Sequence, residues 1–213
     1  MTEPQARGLL VDFGGVLTTS PYEAFAAFER AEDLPAGIVM RILRDAFRSG
    51  DTTNVFARYE RGEASDAEFA DGLIEAVRAQ GHDLPPGPLH RRIFASSLSV
   101  DEMWDVVRRA KDAGVRTALL SNSWGVDGYP LPKLREHFDD LVISGEVGLR
   151  KPEPEIYLLT ADRLGVAPEQ CAFVDDMRIN IEGARSVGMF GVLHRDVPST
   201  AAQLASFLGI DLS

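Results

Sequence analysis

The chain is poor in three things. Of its 213 residues one is cysteine, Cys171, which excludes an internal disulfide and any multi-cysteine metal centre. Basic residues are outnumbered, 22 Lys+Arg against 33 Asp+Glu, and the resulting net charge of −11 argues against general nucleic-acid binding, which needs clustered cations. Long apolar runs are missing as well. No stretch approaches the 18 or so residues that span a bilayer, and residues 1–7 lack the apolar core of a signal peptide. The expectation is a soluble cytoplasmic protein without membrane or nucleic-acid partners, present as a monomer or homodimer.

What the chain does have is alternation. Short apolar runs bounded by turn residues occur at 8–13 (GLLVDF), 116–121 (RTALLS), 141–144 (LVIS), 171–174 (CAFV) and 191–193 (GVL), as expected of strands covered on both faces. Helical patterns at 101–113, 154–164 and 180–187 separate the later runs, each followed by a glycine, and a last helix is expected at 200–208. Such repetition predicts an α/β fold with a doubly wound parallel sheet. Residues 20–97 break the rhythm with four helical stretches, 22–31, 35–47, 53–60 and 66–80, and no convincing strand. Ser65 and Glu68 have the spacing of a capping box, and the Pro85-Pro86-Gly87-Pro88 run marks a return linker. The expected organisation is a core of 1–19 and 98–213 with a helical cap, 20–97, inserted after the first strand, over the carboxyl ends where open α/β sheets bind ligands.

Four polar sites fall at those strand ends. Asp12 closes the first strand before Gly14 and Gly15, where it suits a nucleophile, a metal ligand or a turn cap, and the glycines let the backbone wrap closely around a ligand. Ser121, Asn122 and Ser123 end the second and offer hydroxyl and amide donors to an oxyanion. Lys151 lies on a loop beyond the third, and Asp175 with Asp176 closes the fourth. Two carboxylates at the tops of strands one and four suit Mg²⁺, which takes a few oxygen ligands and keeps several waters, while Lys151 balances negative charge. Trp124 is placed either in the pocket or in ordinary packing. His82, His90, His137 and His194 share no metal-ligand spacing and read as surface or loop residues. Arg48 and Arg58 read as exposed helix charges, and Phe25, Phe28, Phe47, Phe56 and Phe69 as the core of the helical insertion.

The segments VDFGGVLT around Asp12, LLSNS around Ser121, RKPEPEIY around Lys151 and FVDDMRIN around Asp175 resemble, in order and placement, the four motifs of the haloacid dehalogenase-like hydrolase superfamily. YERGEASDAEF, residues 59–69, is similar to the cap of the branch containing bacterial sugar-phosphate phosphatases and the amino-terminal phosphatase domain of soluble epoxide hydrolases. The resemblance implies a Rossmann-like core with a small all-helical cap, hydrolysing a small phosphorylated metabolite. It implies that Asp12 attacks phosphorus to form an aspartyl-phosphate, with Ser121 bonding the phosphoryl oxygens and Lys151 neutralising charge. It further implies Mg²⁺ on Asp12, Asp175 and the Gly14 carbonyl, with Asp176 and Asn180 supporting that shell. Gly15, Asn122, Ser123 and Trp124 are the expected substrate-binding positions.

One position departs from the pattern. Phosphatases of this superfamily usually carry a second Asp two residues after the nucleophile as general acid and base; here Gly14 stands there. A positioned acid is worth about 10²–10⁴ in rate, so its loss penalises poor leaving groups most. Asp176 and a cap residue are the candidate replacements, and the sequence selects neither. The departure keeps two rival readings open: a 2-haloacid dehalogenase, against which the Asp175–Asp176 pair argues, and a degenerate member that binds a ligand or partner without turnover.

Overall fold

Strand-forming runs of the sequence line up side by side in a computed structural model that describes residues 7–48, 53–125 and 128–212. The strands are β1 (Gly8–Val11), β2 (Arg116–Ser121), β3 (Asp140–Ile143), β4 (Cys171–Asp175) and β5 (Phe190–Leu193). All pair in parallel in the order β3-β2-β1-β4-β5, a Rossmann-like α/β sheet. The order reverses at β1, so the ends of β1, β2 and β4 open on one crevice. Alternate residues feed opposite faces: Leu9 and Val11 join one apolar cluster, Leu10 the other. Cys171 is buried in the second cluster, a small apolar filler. Residues 1–6, which carry most of the segment read as lacking a signal-peptide core, lie outside the described residues. Among the described residues no helix is long and apolar enough to cross a membrane.

Between β1 and β2 the chain forms α1 (Pro21–Ala31), α2 (Ile38–Arg48), α3 (Val55–Glu60), α4 (Asp66–Ala79), α5 (Leu89–Ile93) and α6 (Asp101–Asp112). The first five surround a separate apolar cluster containing Phe25, Phe28, Phe56 and Phe69, with Phe47 and Trp124 packed at its edge. The start of α2 is later than the apolar pattern suggests, because the buried Glu29 carboxylate accepts the Gly37 and Val39 amides at 2.6 and 2.9 Å and thereby caps it. The two segments linking this helical layer to the sheet run side by side: Thr19 donates its amide to Leu98 O at 2.8 Å, and Val100 to Leu17 O at 2.9 Å.

The capping box at Ser65 is formed. Its hydroxyl accepts the Glu68 amide at 3.2 Å, and the Glu68 carboxylate accepts the Ser65 amide at 2.8 Å. Arg58 reaches the same carboxylate at 3.1 Å, so this exposed helix charge steadies the turn. Loss of the cap in Ser65→Ala should cost about 1 kcal/mol. For a chain of this length that is a fall of roughly 2–4 °C in thermal midpoint. A midpoint unchanged in a melting experiment would mean that the cap does not hold α4.

Beyond β2 lie α7 (Leu131–His137), α8 (Ser144–Val147), α9 (Pro154–Leu164), α10 (Arg178–Ser186) and α11 (Val197–Leu208). Ser144, expected to end β3, opens α8 instead, and Phe13 has left β1 because the Asp12 carboxylate accepts its amide at 2.7 Å in a turn. The last helix starts three residues before the expected 200: Asp196 accepts the Ser199 amide at 2.8 Å, and Pro198 sits in the first turn.

Candidate active site

Asp12 leaves β1 with its backbone still in register, its amide donating to Val174 O at 2.9 Å. Its buried side chain meets Lys151, whose ammonium stands 2.7 Å from Asp12 Oδ1 and 2.7 Å from Asp175 Oδ2. Asp12, Asp175 and Asp176 present carboxylate oxygens within 4.8 Å of one another. Asp175 is fully buried and fixed from behind, accepting from the Met177 amide at 2.8 Å and from Asn180 Nδ2 at 3.0 and 3.1 Å. Asn180 is itself held by Tyr157, whose hydroxyl donates to its carbonyl at 2.8 Å. Asp176, expected with Asn180 to support the metal shell, stands in the carboxylate cluster.

Crowding three carboxylates around one ammonium has an electrostatic signature. Burial raises the Asp12 carboxyl above the ordinary range, Asp175 and Asp176 add to the shift, and Lys151 opposes it. Burial and Asp175 push Asp176 up to about 6. Burial alone would lower Lys151, but the facing carboxylates of Asp12 and Asp175 override it and hold the ammonium above its usual value.

The loop after β2 supplies the other wall. Ser121 Oγ lies 2.9 Å from the Tyr129 hydroxyl, which burial keeps protonated and therefore able to donate. Asn122 clamps the lysine loop from both sides: its Oδ1 accepts the Lys151 amide at 2.8 Å, and its Nδ2 donates to the Lys151 carbonyl at 3.1 Å. Ser123 is buried, and its amide donates to Ser144 Oγ at 2.7 Å. Trp124 does both jobs assigned to it. Its ring centroid lies 5.7 Å from that of Phe25 and 5.8 Å from that of Phe69, and the same residue borders a cavity of about 560 Å³. Gly14, Ser121, Asn122, Tyr129 and His90 border that cavity as well.

The two glycines after Asp12 differ. Gly15 has φ +76°, and a Cβ there would stand 2.4 Å from Asp176 Oδ2, so both the backbone and the neighbouring carboxylate require glycine. Gly14 lies outside the left-handed region, and among the described residues a Cβ would meet Pro21, at 3.1 Å from Cγ and 3.8 Å from Cδ.

His90 corrects the expectation of a surface or loop position, whereas His194, also buried, does lie in the loop after β5. His194 is buried because its Nδ1 pairs with Thr200 Oγ1 at 2.8 Å, and His90 because α5 turns it inward between the helical layer and the loop after β2. Sequence reasoning gave no role to Glu60, which is buried at the end of α3, pairs with Arg150 and lies 3.4 Å from Asn122 Nδ2. Burial raises its carboxyl, with Arg150 opposing. Its signal was its place inside the phrase YERGEASDAEF, residues 59–69.

Known proteins are similar to this chain in sequence and in fold. The profile of the haloacid dehalogenase-like hydrolase family matches residues 6–188. Over 97% of its length the chain is 30% identical to bifunctional epoxide hydrolase 2 of Sus scrofa, of which it spans 39%. A 64-residue stretch, 29% of this chain and 30% of the other protein, is 41% identical to a phosphorylated carbohydrates phosphatase of Thermotoga maritima. In three dimensions the chain is similar to a haloacid dehalogenase family enzyme of Bacteroides thetaiotaomicron crystallised with magnesium and inorganic phosphate, at TM-score 0.62 and 22% identity over 89% of this chain and 94% of that one. The chain belongs to the haloacid dehalogenase-like hydrolase family.

Proposed function

We propose that this hydrolase is a Mg²⁺-dependent phosphatase of a small phosphorylated metabolite, working through an aspartyl-phosphate on Asp12. The observation that carries the reading is the Lys151 ammonium held between Asp12 and Asp175 with a third carboxylate, Asp176, in reach. Three buried or half-buried carboxylates against one ammonium leave an excess of negative charge that only a further cation or bound protons can offset. Hard oxygen donors of this kind fit Mg²⁺. Asp12 and Asp175 would hold it with the Gly14 carbonyl, and Asp176 and Asn180 would support or complete that shell. When bound, the metal supplies positive charge to the transferring phosphoryl group.

The protein's own groups have separate tasks. Asp12 attacks phosphorus, while the Phe13 amide and Lys151 keep its carboxylate aimed. Ser121, with its proton directed by Tyr129, bonds a phosphoryl oxygen, and the clamp by Asn122 keeps Lys151 beside the charge it neutralises. Transfer of this kind relies mainly on positioning and electrostatics. Similarity to a phosphorylated carbohydrates phosphatase supports phosphoryl transfer to Asp12 over displacement of a halide from carbon. A screen of phosphate monoesters with and without Mg²⁺ tests the reading. Turnover should require Mg²⁺ and vanish in EDTA. Equal activity in EDTA, or chloride release from 2-haloacids without metal, would overturn it.

A further inference from the structure

The cavity of about 560 Å³ beside the candidate site has walls that phosphoryl transfer alone does not call for. It begins at the turn of the nucleophile: Phe13, whose amide donates to Asp12 Oδ1 at 2.7 Å, borders it together with Gly14 and Ser121. Two aromatic pairs border it as well. Phe13 and Tyr129 lie 5.0 Å apart between ring centroids, and Phe94, which follows α5 of the helical layer, lies 5.9 Å from Trp124. Much of the polar lining is committed to the protein itself. Thr19 Oγ1 accepts the Leu98 amide at 3.1 Å, Ser99 donates its hydroxyl to Asp101 at 2.7 Å, and the Trp104 indole N–H donates to Leu17 O at 3.0 Å. The Asn122 side chain is taken up by its clamp on Lys151. A polyol seated here would give up water for few new partners, whereas the face of an aromatic ring needs none. Among the described residues that border the cavity none is acidic, while Arg91 and Lys133 are basic, so in a chain of net charge −11 this space admits an anionic ester.

We propose that the substrate is an aryl phosphate, an aromatic ring joined to phosphate through its own hydroxyl oxygen, with the ring seated in this cavity. The inference rests on the phosphatase reading and names the substrate class of that site. Gly14 points the same way from the side of the chemistry. It has no carboxyl to donate a proton, so as the bond from Asp12 to phosphorus forms, the bond from phosphorus to the ester oxygen breaks and that oxygen leaves with the electron pair. A phenolate holds that pair far better than an alkoxide does, and an aryl ester therefore loses least by the missing acid. The wall selects the ring, and the position two residues after the nucleophile tolerates its oxygen as a leaving group.

Phosphonates separate the seat from the chemistry, because they carry the same head group and do not turn over. Benzylphosphonate is phenyl phosphate with a methylene in place of the ester oxygen, and ethylphosphonate has that methylene and no ring. As competitive inhibitors of acetyl phosphate hydrolysis in Mg²⁺, the benzyl compound should bind about 10–100-fold more tightly, the worth of burying one aromatic ring. Phe94→Ala should cut that ratio by about threefold or more, since it removes one wall of the seat. Its kcat/KM on acetyl phosphate, which carries no ring, should stay within about threefold of wild type. Each inhibition ratio is read within one preparation, so a partly folded variant does not distort it. Equal inhibition by the two phosphonates, or a ratio that Phe94→Ala leaves unchanged, overturns the aromatic seat, while Mg²⁺-dependent turnover of acetyl phosphate keeps the phosphatase reading standing. Absence of wild-type turnover on acetyl phosphate and on every monoester in Mg²⁺ overturns both.

Discussion

Asp12→Asn should lower kcat on 4-nitrophenyl phosphate by on the order of 10⁴–10⁶-fold, the scale of losing a covalent nucleophile. The substitution is close to isosteric, and the fold should survive it. Oδ1 alone accepts both the Phe13 amide and the Lys151 ammonium, and an asparagine carbonyl can keep both contacts. The missing property is an anionic second oxygen able to bond phosphorus. Intact-mass measurement after a rapid acid quench should find a phosphorylated species in wild type and none in the variant. Activity within tenfold of wild type would remove Asp12 as the nucleophile, and with it the covalent route.

Lys151→Met should have the largest effect on stability. The ammonium is 1% exposed and makes 2.7 Å contacts to two carboxylates, so its removal strands buried negative charge in a space from which water is excluded. Breaking a buried pair from one side costs about 3–5 kcal/mol. For a chain of this size that corresponds to a drop of roughly 6–20 °C in thermal midpoint. Methionine keeps the length of the side chain, and the backbone of residue 151 keeps its clamp to Asn122, so the loss is electrostatic in origin. Added Mg²⁺ should therefore raise the midpoint of the variant more than that of wild type, because it replaces charge that wild type already has. Calorimetry with and without Mg²⁺ reads both effects. A midpoint within 2 °C or so of wild type would mean that the carboxylates simply take up protons at little cost.

Much of this arrangement is visible in one dimension. A parallel sheet places the ends of its strands on one edge, so locating Asp12, Ser121 and Asp175 at strand ends is enough to bring them together, without knowledge of any side-chain contact. Long helices such as α4 and α9 show their apolar stripe and their caps. The short helices α5, α7 and α8, of 5, 7 and 4 residues, make two turns or fewer and leave no period to detect. Tertiary partners are equally silent. Glu60 and Arg150 are 90 positions apart, and nothing near either announces the pairing. His90 looked like a surface residue because a lone histidine carries no spacing signal, and only the packing of α5 against the loop after Ser121 turns it inward.

The end of α3 has a kinetic meaning. Glu60 grips Arg150 and Asn122 with its carboxylate and takes the Ser144 hydroxyl on its carbonyl, Arg61 pairs with Glu153, and the backbone at Gly62 lies directly on Gly145. The crossing segments near Thr19 and Leu98 join the helical layer to the sheet, and Trp124 of the loop after β2 packs against Phe25 and Phe69 of that layer. A swing of the layer about those crossings would have to unfasten Glu60, which is tied to Asn122, the residue that clamps the backbone of Lys151. Such an opening would admit water and loosen the clamp on Lys151 together, in the manner of an interlock. A reactive phospho-enzyme would stay sheltered for as long as the latch stays shut, and the lifetime of the latch would set how often the site exchanges its contents with the surrounding solution.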